Sequence, residues 1–241
     1  DRAKAKTVLN AFNVDRVYER EKEYMGKEPL PDYAEWGDDL KLDIYLVDMS
    51  ARGACVGILE SGNKAKCHIF LNRKYSGKEI KAYAAHELFH AIQCAIDATE
   101  PDWWKEMTAA WSEHLIYPEG DTEHDYLKNF FKDFHIYQAF TTTDMRHEYG
   151  EWVFPLYLAQ AFGENIIKQI WHACEPADKN ALSALDETLP NGLEHNIKEF
   201  ASWVWNKNPV KNFRDYGREL NIFPDIEDTC LLYTSPSPRD R

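Results

Sequence analysis

The stretch AYAAHELFHAIQ, residues 82–93, contains two histidines four positions apart, with a glutamate directly after the first. Positions i and i+4 of an α-helix lie on one face, so His86 and His90 can present ring nitrogens to a single metal ion. Glu87 lies beside that face and can reach a water bound to the ion without being a ligand itself. The stretch therefore predicts a metal-binding catalytic helix. The alternative is a chance match within an ordinary amphipathic helix.

The surrounding sequence favours a long helix that follows a small sheet. Ser76 and Glu79 have the spacing of a capping box at the helix start. The expected core face of this helix consists of Ile80, Ala84, Leu88, Ala91, Ile92 and Ala95. Upstream, LKLDIYLVD (40–48), CVGIL (55–59) and CHIFLN (67–72) predict strands, the last two joined by the turn ESGNKAK. Residues 4–25 carry a helical stripe of apolar side chains.

The remainder of the chain is helical in pattern. Helices are predicted in residues 102–117, 123–134, 152–162, 165–173, 179–189 and 193–205. Strands followed by helices indicate an α+β fold. We expect residues 1–98 to form an N-terminal lobe with the sheet and the motif helix, and residues 99–229 to form a helical lobe. Residues 230–241, CLLYTSPSPRDR, lack periodicity and resemble a translated sequencing adapter, so we expect a non-native tail.

Charge and hydropathy exclude two classes of partner. The net charge is -13, and the basic residues are scattered, so nucleic acid is not an expected partner. No apolar run approaches the ~20 residues that a membrane span needs. The chain starts without Met, and a removed secretion signal is compatible with that start. Oligomeric state is left open by these patterns.

The third metal ligand is expected from the next helix. A catalytic zinc ion has three protein ligands and keeps one position open for water. The segment PDWWKEMTAAWSE (101–113) offers Glu106 and Glu113, two turns and ~10 Å apart on one face. Only one of them can easily touch the ion. We predict Glu106 as the ligand, which leaves a supporting or surface role for Glu113.

The cysteine positions allow two interpretations of the redox state of Cys55 and Cys67. Cys55 and Cys67 flank the predicted hairpin turn, so they could form a disulfide in an oxidising compartment, and free thiols are an equally good expectation. The five cysteines of the chain are scattered and have no zinc-knuckle spacing.

Taken together, these motifs resemble a known family. HELFH followed by WWKEMTAAW is similar to the gluzincin metallopeptidases, whose second helix supplies a glutamate ligand. Within that clan, residues 40–172 look most like a group of secreted, largely bacterial metalloproteases, with IYLVD, HELFHAIQ, a W-x-E-x-x-A-x-W-x-E-x-x-x-Y-P segment and a later YG…F…YL segment. The resemblance implies a zincin-like fold, a Zn²⁺ cofactor, secretion, and a peptide or protein substrate. It implies His86, His90 and Glu106 as ligands and Glu87 as general base.

The resemblance also concerns the hydrogen-bond donor for the oxyanion and the strand that would bind the substrate. The oxyanion of a peptidase reaction needs a hydrogen-bond donor besides the metal, and RHEYGEW (146–152) offers Tyr149 and His147. The likeness of Tyr149-Gly150 to the family favours Tyr149. The strand KCHIFLN (66–72) precedes the motif helix as the cleft-edge strand of zincins does, so an extended substrate could add to its free edge.

Three functions are compatible with these residues. A zinc-dependent endopeptidase is the leading hypothesis. Aminopeptidases of the same clan carry a G-x-M-E-N segment, and the closest stretch here, GILESGN (57–63), does not match it. A non-catalytic zinc-binding protein is the third alternative. A structural site usually fills its fourth position with Cys or His, so a histidine pair with one glutamate argues against it.

Overall fold

The computed structural model describes residues 2–33, 39–127, 130, 147–205 and 213. Its first elements are helix α1 (Arg2–Asn13) and helix α2 (Val17–Met25). The prediction of one continuous helix over residues 4–25 is wrong, because Arg16 between them adopts the left-handed conformation with φ 58°. Helix α2 ends at Gly26, where φ is 63° and the backbone N–H donates to the carbonyl of Lys22.

The sheet has three strands, as predicted: β1 (Ile44–Val47), β2 (Gly53–Ser61) and β3 (Lys64–Asn72). Strands β2 and β3 form an antiparallel hairpin around Gly62, whose φ of 64° suits a tight turn. Strand β1 pairs in parallel with β3, so the strand order is β1-β3-β2. The prediction that β3 is the edge strand is therefore wrong. It is paired on both sides along Ile69–Leu71, since β1 takes the side opposite the hairpin.

Helix α3 (Gly77–Asp97) carries the two motif histidines and packs on the sheet. The six predicted core residues of this helix are all fully buried. The predicted capping box is not formed, because the side chain of Ser76 makes no capping hydrogen bond to the backbone of the first turn. Helix α4 (Asp102–Ile116) follows after a short connection and packs against α3.

The remaining elements are helical. A short 3-10 helix spans Glu123–Tyr126, and half of the predicted helix 123–134 lies outside the described residues. It is followed by α5 (His147–Gly150), α6 (Val153–Phe162), α7 (Asn165–Cys174), α8 (Ala181–Thr188) and α9 (Gly192–Trp205). The last four of these helices confirm the predicted helical segments. The fold is α+β, as predicted. Residues 230–241 lie outside the described part of the chain.

One hydrophobic core joins the N-terminal elements to the C-terminal helices. It contains Leu71 of β3, Leu88 of α3, Trp111 of α4 and Trp171 of α7, each fully or almost fully buried. Within the described ranges, no helix combines the length and the apolar character that a bilayer crossing requires.

A small charged cluster ties α7 to the N-terminal elements. Lys27 and Lys64 each place Nζ close to Oε1 of Glu175, at 3.0 and 2.6 Å. Hydrogen bonds from Lys64 and Lys27 lower the pKa of Glu175 to about 2, against the smaller opposing effect of burial. Asn63 also donates to the backbone carbonyl of Glu175, 3.2 Å away. The end of α7 is thereby attached to the hairpin.

We predict that Glu175→Gln lowers the free energy of unfolding at pH 7 by about 1 kcal/mol, a figure reduced for partial exposure of the pair. A carboxylate with a lowered pKa stabilises the fold above its unfolded pKa of about 4.5. The difference from the wild type should therefore shrink as the pH falls from about 4.5 towards 2. Urea denaturation across this range measures it. Glu199→Gln, at an exposed position of α9, is the control and should show no such difference.

Candidate metal centre

Helices α3 and α4 bring three potential ligand atoms into one small triangle. Nε2 of His86 lies 3.1 Å from Nε2 of His90. Oε2 of Glu106 lies 3.3 Å from each of these nitrogens. A tetrahedral ion with bonds of 2.0–2.1 Å keeps its ligand atoms about 3.3 Å apart, so the triangle has the dimensions of one face of such a coordination shell. These three residues are thus placed to hold one metal ion.

The other ring nitrogen of each histidine is held by a buried partner. Nδ1 of His86 lies 3.0 Å from Oε1 of Glu113, and Nδ1 of His90 lies 2.7 Å from Oε1 of Gln93. Both partners accept hydrogen bonds at these oxygens, so each Nδ1 carries the proton. The Nε2 lone pair of each ring is then free to bind a cation.

The partners are themselves fixed. Tyr126 donates its hydroxyl to the same Oε1 of Glu113 at 3.0 Å. Nε2 of Gln93 donates to the carbonyl of Lys105 at 3.0 Å and to Oγ1 of Thr108 at 2.9 Å. Glu113 and Gln93 are both completely buried. The sequence left a supporting role or a surface role for Glu113. Because Glu113 is buried and contacts Nδ1 of His86, the structure shows the supporting role.

Opposite charges are concentrated at the triangle. Burial opposes protonation of His86, but its hydrogen bonds with Glu106 and Glu113 outweigh this and raise the pKa of the ring. The pKa of His90 is raised in the same way, mainly by the charge of Glu106 against burial. Burial would raise the pKa of Glu106, yet the two histidines lower it well below its ordinary value. The site thus stabilises positive charge between the two rings and the carboxylate.

Glu87 is buried against the sheet. Its side chain lies over Gly53 of β2, and a Cβ at position 53 would be only 2.5 Å from Oε1 of Glu87. Burial raises the pKa of Glu87, whereas His86 and His90 lower it through their charge. Gly53 was not singled out in the sequence. It precedes the predicted strand 55–59, whereas the observed strand begins at Gly53, so the predicted pattern gave no local signal of this close approach.

The two predicted oxyanion donors differ in position. The ring of Tyr149 on α5 stacks on His86, with centroids 5.7 Å apart and an interplanar angle of 15°. Burial raises the pKa of Tyr149, and the charge of Glu106 together with a hydrogen bond to that residue raises it further. Nε2 of His147 instead lies 3.4 Å from Oε1 of Glu151, and its ring stacks on that of Phe130. The geometry favours Tyr149.

Two further groups of potential ligands occur among the described residues. Cys55, Cys67 and Cys94 form one, and Asp121, Glu123 and His124 form the other. Neither group was predicted from the sequence. Cys55 and Cys67 are free thiols, so the disulfide alternative is not present in the structure.

The fold and the site define an α+β protein with a candidate metal centre of two histidines and one glutamate between adjacent helices. The chain belongs to a family of unknown function, DUF6055, whose model matches residues 34–186. That range includes the three candidate ligands, Glu87 and Tyr149. Searches of curated proteins and of solved structures found no significant match.

We predict that Glu113→Gln weakens metal binding by about 10–100-fold, because the variant loses the charge that holds the His86 ring and makes it a better ligand. Competition with a chromogenic chelator measures the affinity for Zn²⁺. Glu119→Gln, beyond the end of the same helix, is the control. Equal affinities of the Glu113 variant and the wild type would contradict the supporting role of Glu113.

Proposed function

We propose that this protein is a zinc-dependent peptidase of the gluzincin type, with a zincin-like form of its α+β fold. The proposal rests mainly on one observation, the triangle of His86, His90 and Glu106 with edges of 3.1–3.3 Å. It is also supported by the resemblance of the motif segments to that clan. The substrate would be a peptide or protein, and the same resemblance supports secretion.

The donor set fits zinc. Two imidazole nitrogens and one carboxylate oxygen are a common ligand set of catalytic zinc, and three protein ligands leave one position of the tetrahedron for a reactant. The supporting hydrogen bonds from the two rings to Glu113 and Gln93 are those expected around histidine ligands. A calcium or magnesium ion would instead require a shell made almost wholly of oxygens.

A zinc ion at this position would lower the pKa of a water molecule and polarise a peptide carbonyl. Glu87 would accept the proton of that water and then deliver it to the leaving amine, as a general base and general acid in turn. The hydroxyl of Tyr149, close to Glu106, would donate a hydrogen bond to the developing oxyanion. Gly53 would keep Glu87 beside the histidines by leaving room for its carboxylate.

The decisive variant is Glu87→Gln, which removes the base and keeps the size of the side chain. We expect hydrolysis of a fluorogenic peptide blocked at both ends to fall by about 10²–10⁴-fold while the zinc content stays at the wild-type level. Glu79→Gln, in the first turn of the same helix, is the matched control. Full activity of the Glu87 variant would overturn the mechanism. Cleavage restricted to peptides with a free amine would favour an aminopeptidase.

A second prediction concerns the position of Glu87. In Gly53→Ala the new methyl group would overlap Glu87, so the carboxylate has to move away from the histidines. We expect kcat to fall at least 10-fold, with unchanged zinc content and an unchanged far-UV spectrum. Ala54→Ser, whose side chain points to the other face of β2, is the control. Wild-type turnover of the Gly53 variant would show that the glycine does not position the base.

A further inference from the structure

Three cysteines that are distant in sequence meet beneath helix α3. Cys55 comes from β2, Cys67 from β3 and Cys94 from α3, and their sulfur atoms all lie within 4.8 Å of one another. Cys67 is buried, and the other two are partly buried. The cluster contains none of the residues of the histidine site.

The strand register argues against a disulfide between the two sheet cysteines. Cys55 is paired with Ile69, and Cys67 is paired with Gly57, so the two cysteines are diagonal neighbours on the face that α3 covers. Diagonal Cα atoms in an antiparallel pair are about 7–8 Å apart, beyond the 4.4–6.8 Å typical of disulfides. The sulfurs therefore converge without the backbone being set for a bond between them.

A glycine leaves space beside the sulfurs. A Cβ at Gly57 would lie 3.3 Å from Sγ of Cys67 and 3.6 Å from Sγ of Cys94. Any larger side chain at position 57 would be forced against the thiols. The hairpin thus keeps open the region on which the three sulfurs converge.

Only one of the three thiols has a lowered pKa. Hydrogen bonds within the cluster and burial raise the pKa of Cys55, and, against the lowering effect of Cys55, a hydrogen bond with Cys94 together with burial raises that of Cys67. Hydrogen bonds from Cys55 and Cys67 lower the pKa of Cys94, and the nearby charges of His90 and Lys105 act in the same direction. A metal ion binds thiolates and releases the protons of the remaining thiols on binding. The positive charge of Lys105 near the cluster offsets part of the charge of a three-thiolate site.

We propose that Cys55, Cys67 and Cys94 form a second metal site that binds a soft, thiophilic ion such as Zn²⁺ or Cu⁺ through three sulfurs. Thiolates select such ions, whereas the His-His-Glu set suits an ion that also accepts oxygen. The bound ion links β2, β3 and α3, and so fastens the helix that carries His86 and His90 to the sheet. This site does not depend on the proposed peptidase function.

The test uses Cd²⁺ as a probe, added to the full-length protein after removal of metal by a chelator under reducing conditions. The wild type should develop a sulfur-to-cadmium charge-transfer absorption that saturates at one equivalent of thiolate-bound ion. Cys94→Ser and Cys55→Ser should each lose most of this absorption. Cys174→Ser, which alters a buried thiol in α7 that contacts the carbonyl of Ile170, should retain it.

The second arm separates the two sites. His90→Ala should keep the cadmium–thiolate absorption, even if the protein proves to have no peptidase activity. Cys94→Ser should keep zinc at the histidine site, and its melting temperature should no longer rise on addition of Cd²⁺.

Three results would overturn the proposal. They are an absorption that never saturates, equal absorption in the wild type and both cysteine variants, or a disulfide within the cluster that survives mild reduction. If one cysteine variant fails to fold, the other decides between these outcomes.

Discussion

Helix α3 is buried on two sides, by the sheet and by α4, and its buried part includes the polar side chains of His86, Glu87 and Gln93. A polar group removed from water costs free energy unless it gains a hydrogen bond or an opposite charge. The other elements around the site supply hydrogen-bond partners or opposite charges for these side chains, or leave the space that the side chains need. The carboxylates of α4, the hydroxyl of Tyr126 and the glycine at the start of β2 are all consequences of this constraint.

The charge balance of the site would favour a bound cation. Glu87 and Glu113 are buried, and Glu106 is mostly buried, so three carboxylates surround two imidazoles. Glu106 and Glu113 are two turns apart on α4 and approach opposite nitrogens of the His86 ring. Without metal, protons on the rings offset the negative charge. A divalent cation within the triangle would do so more completely, since it adds two charges at the point where the lone pairs converge.

The features that depend on local spacing were predictable, and those that depend on tertiary contacts were not. The pair His86 and His90 follows from helix periodicity, and Glu106 follows from the next amphipathic helix. The role of Glu113 was left open, because spacing along α4 does not show the depth at which α3 packs. The central position of β3 was missed, because the parallel partner β1 is chosen by the core and not by the hairpin. The convergence of Cys94 with Cys55 and Cys67 was missed for the same kind of reason, because it brings together residues of three different elements.

The periodicity of α3 accounts for its two clusters of ligand atoms. Glu87 and Cys94 are seven residues apart, almost two whole turns, and therefore lie on nearly the same side of the helix. His86 and His90 lie on the adjoining part of the helix surface, where their Nε2 atoms contact Glu106 of α4. Glu87 meets Gly53, and Cys94 lies beside Gly57, so the two glycines of β2 occur where the helix places functional side chains against the sheet. Larger residues at positions 53 and 57 would suit a strand better. Their absence is explained if β2 serves as the floor of both sites.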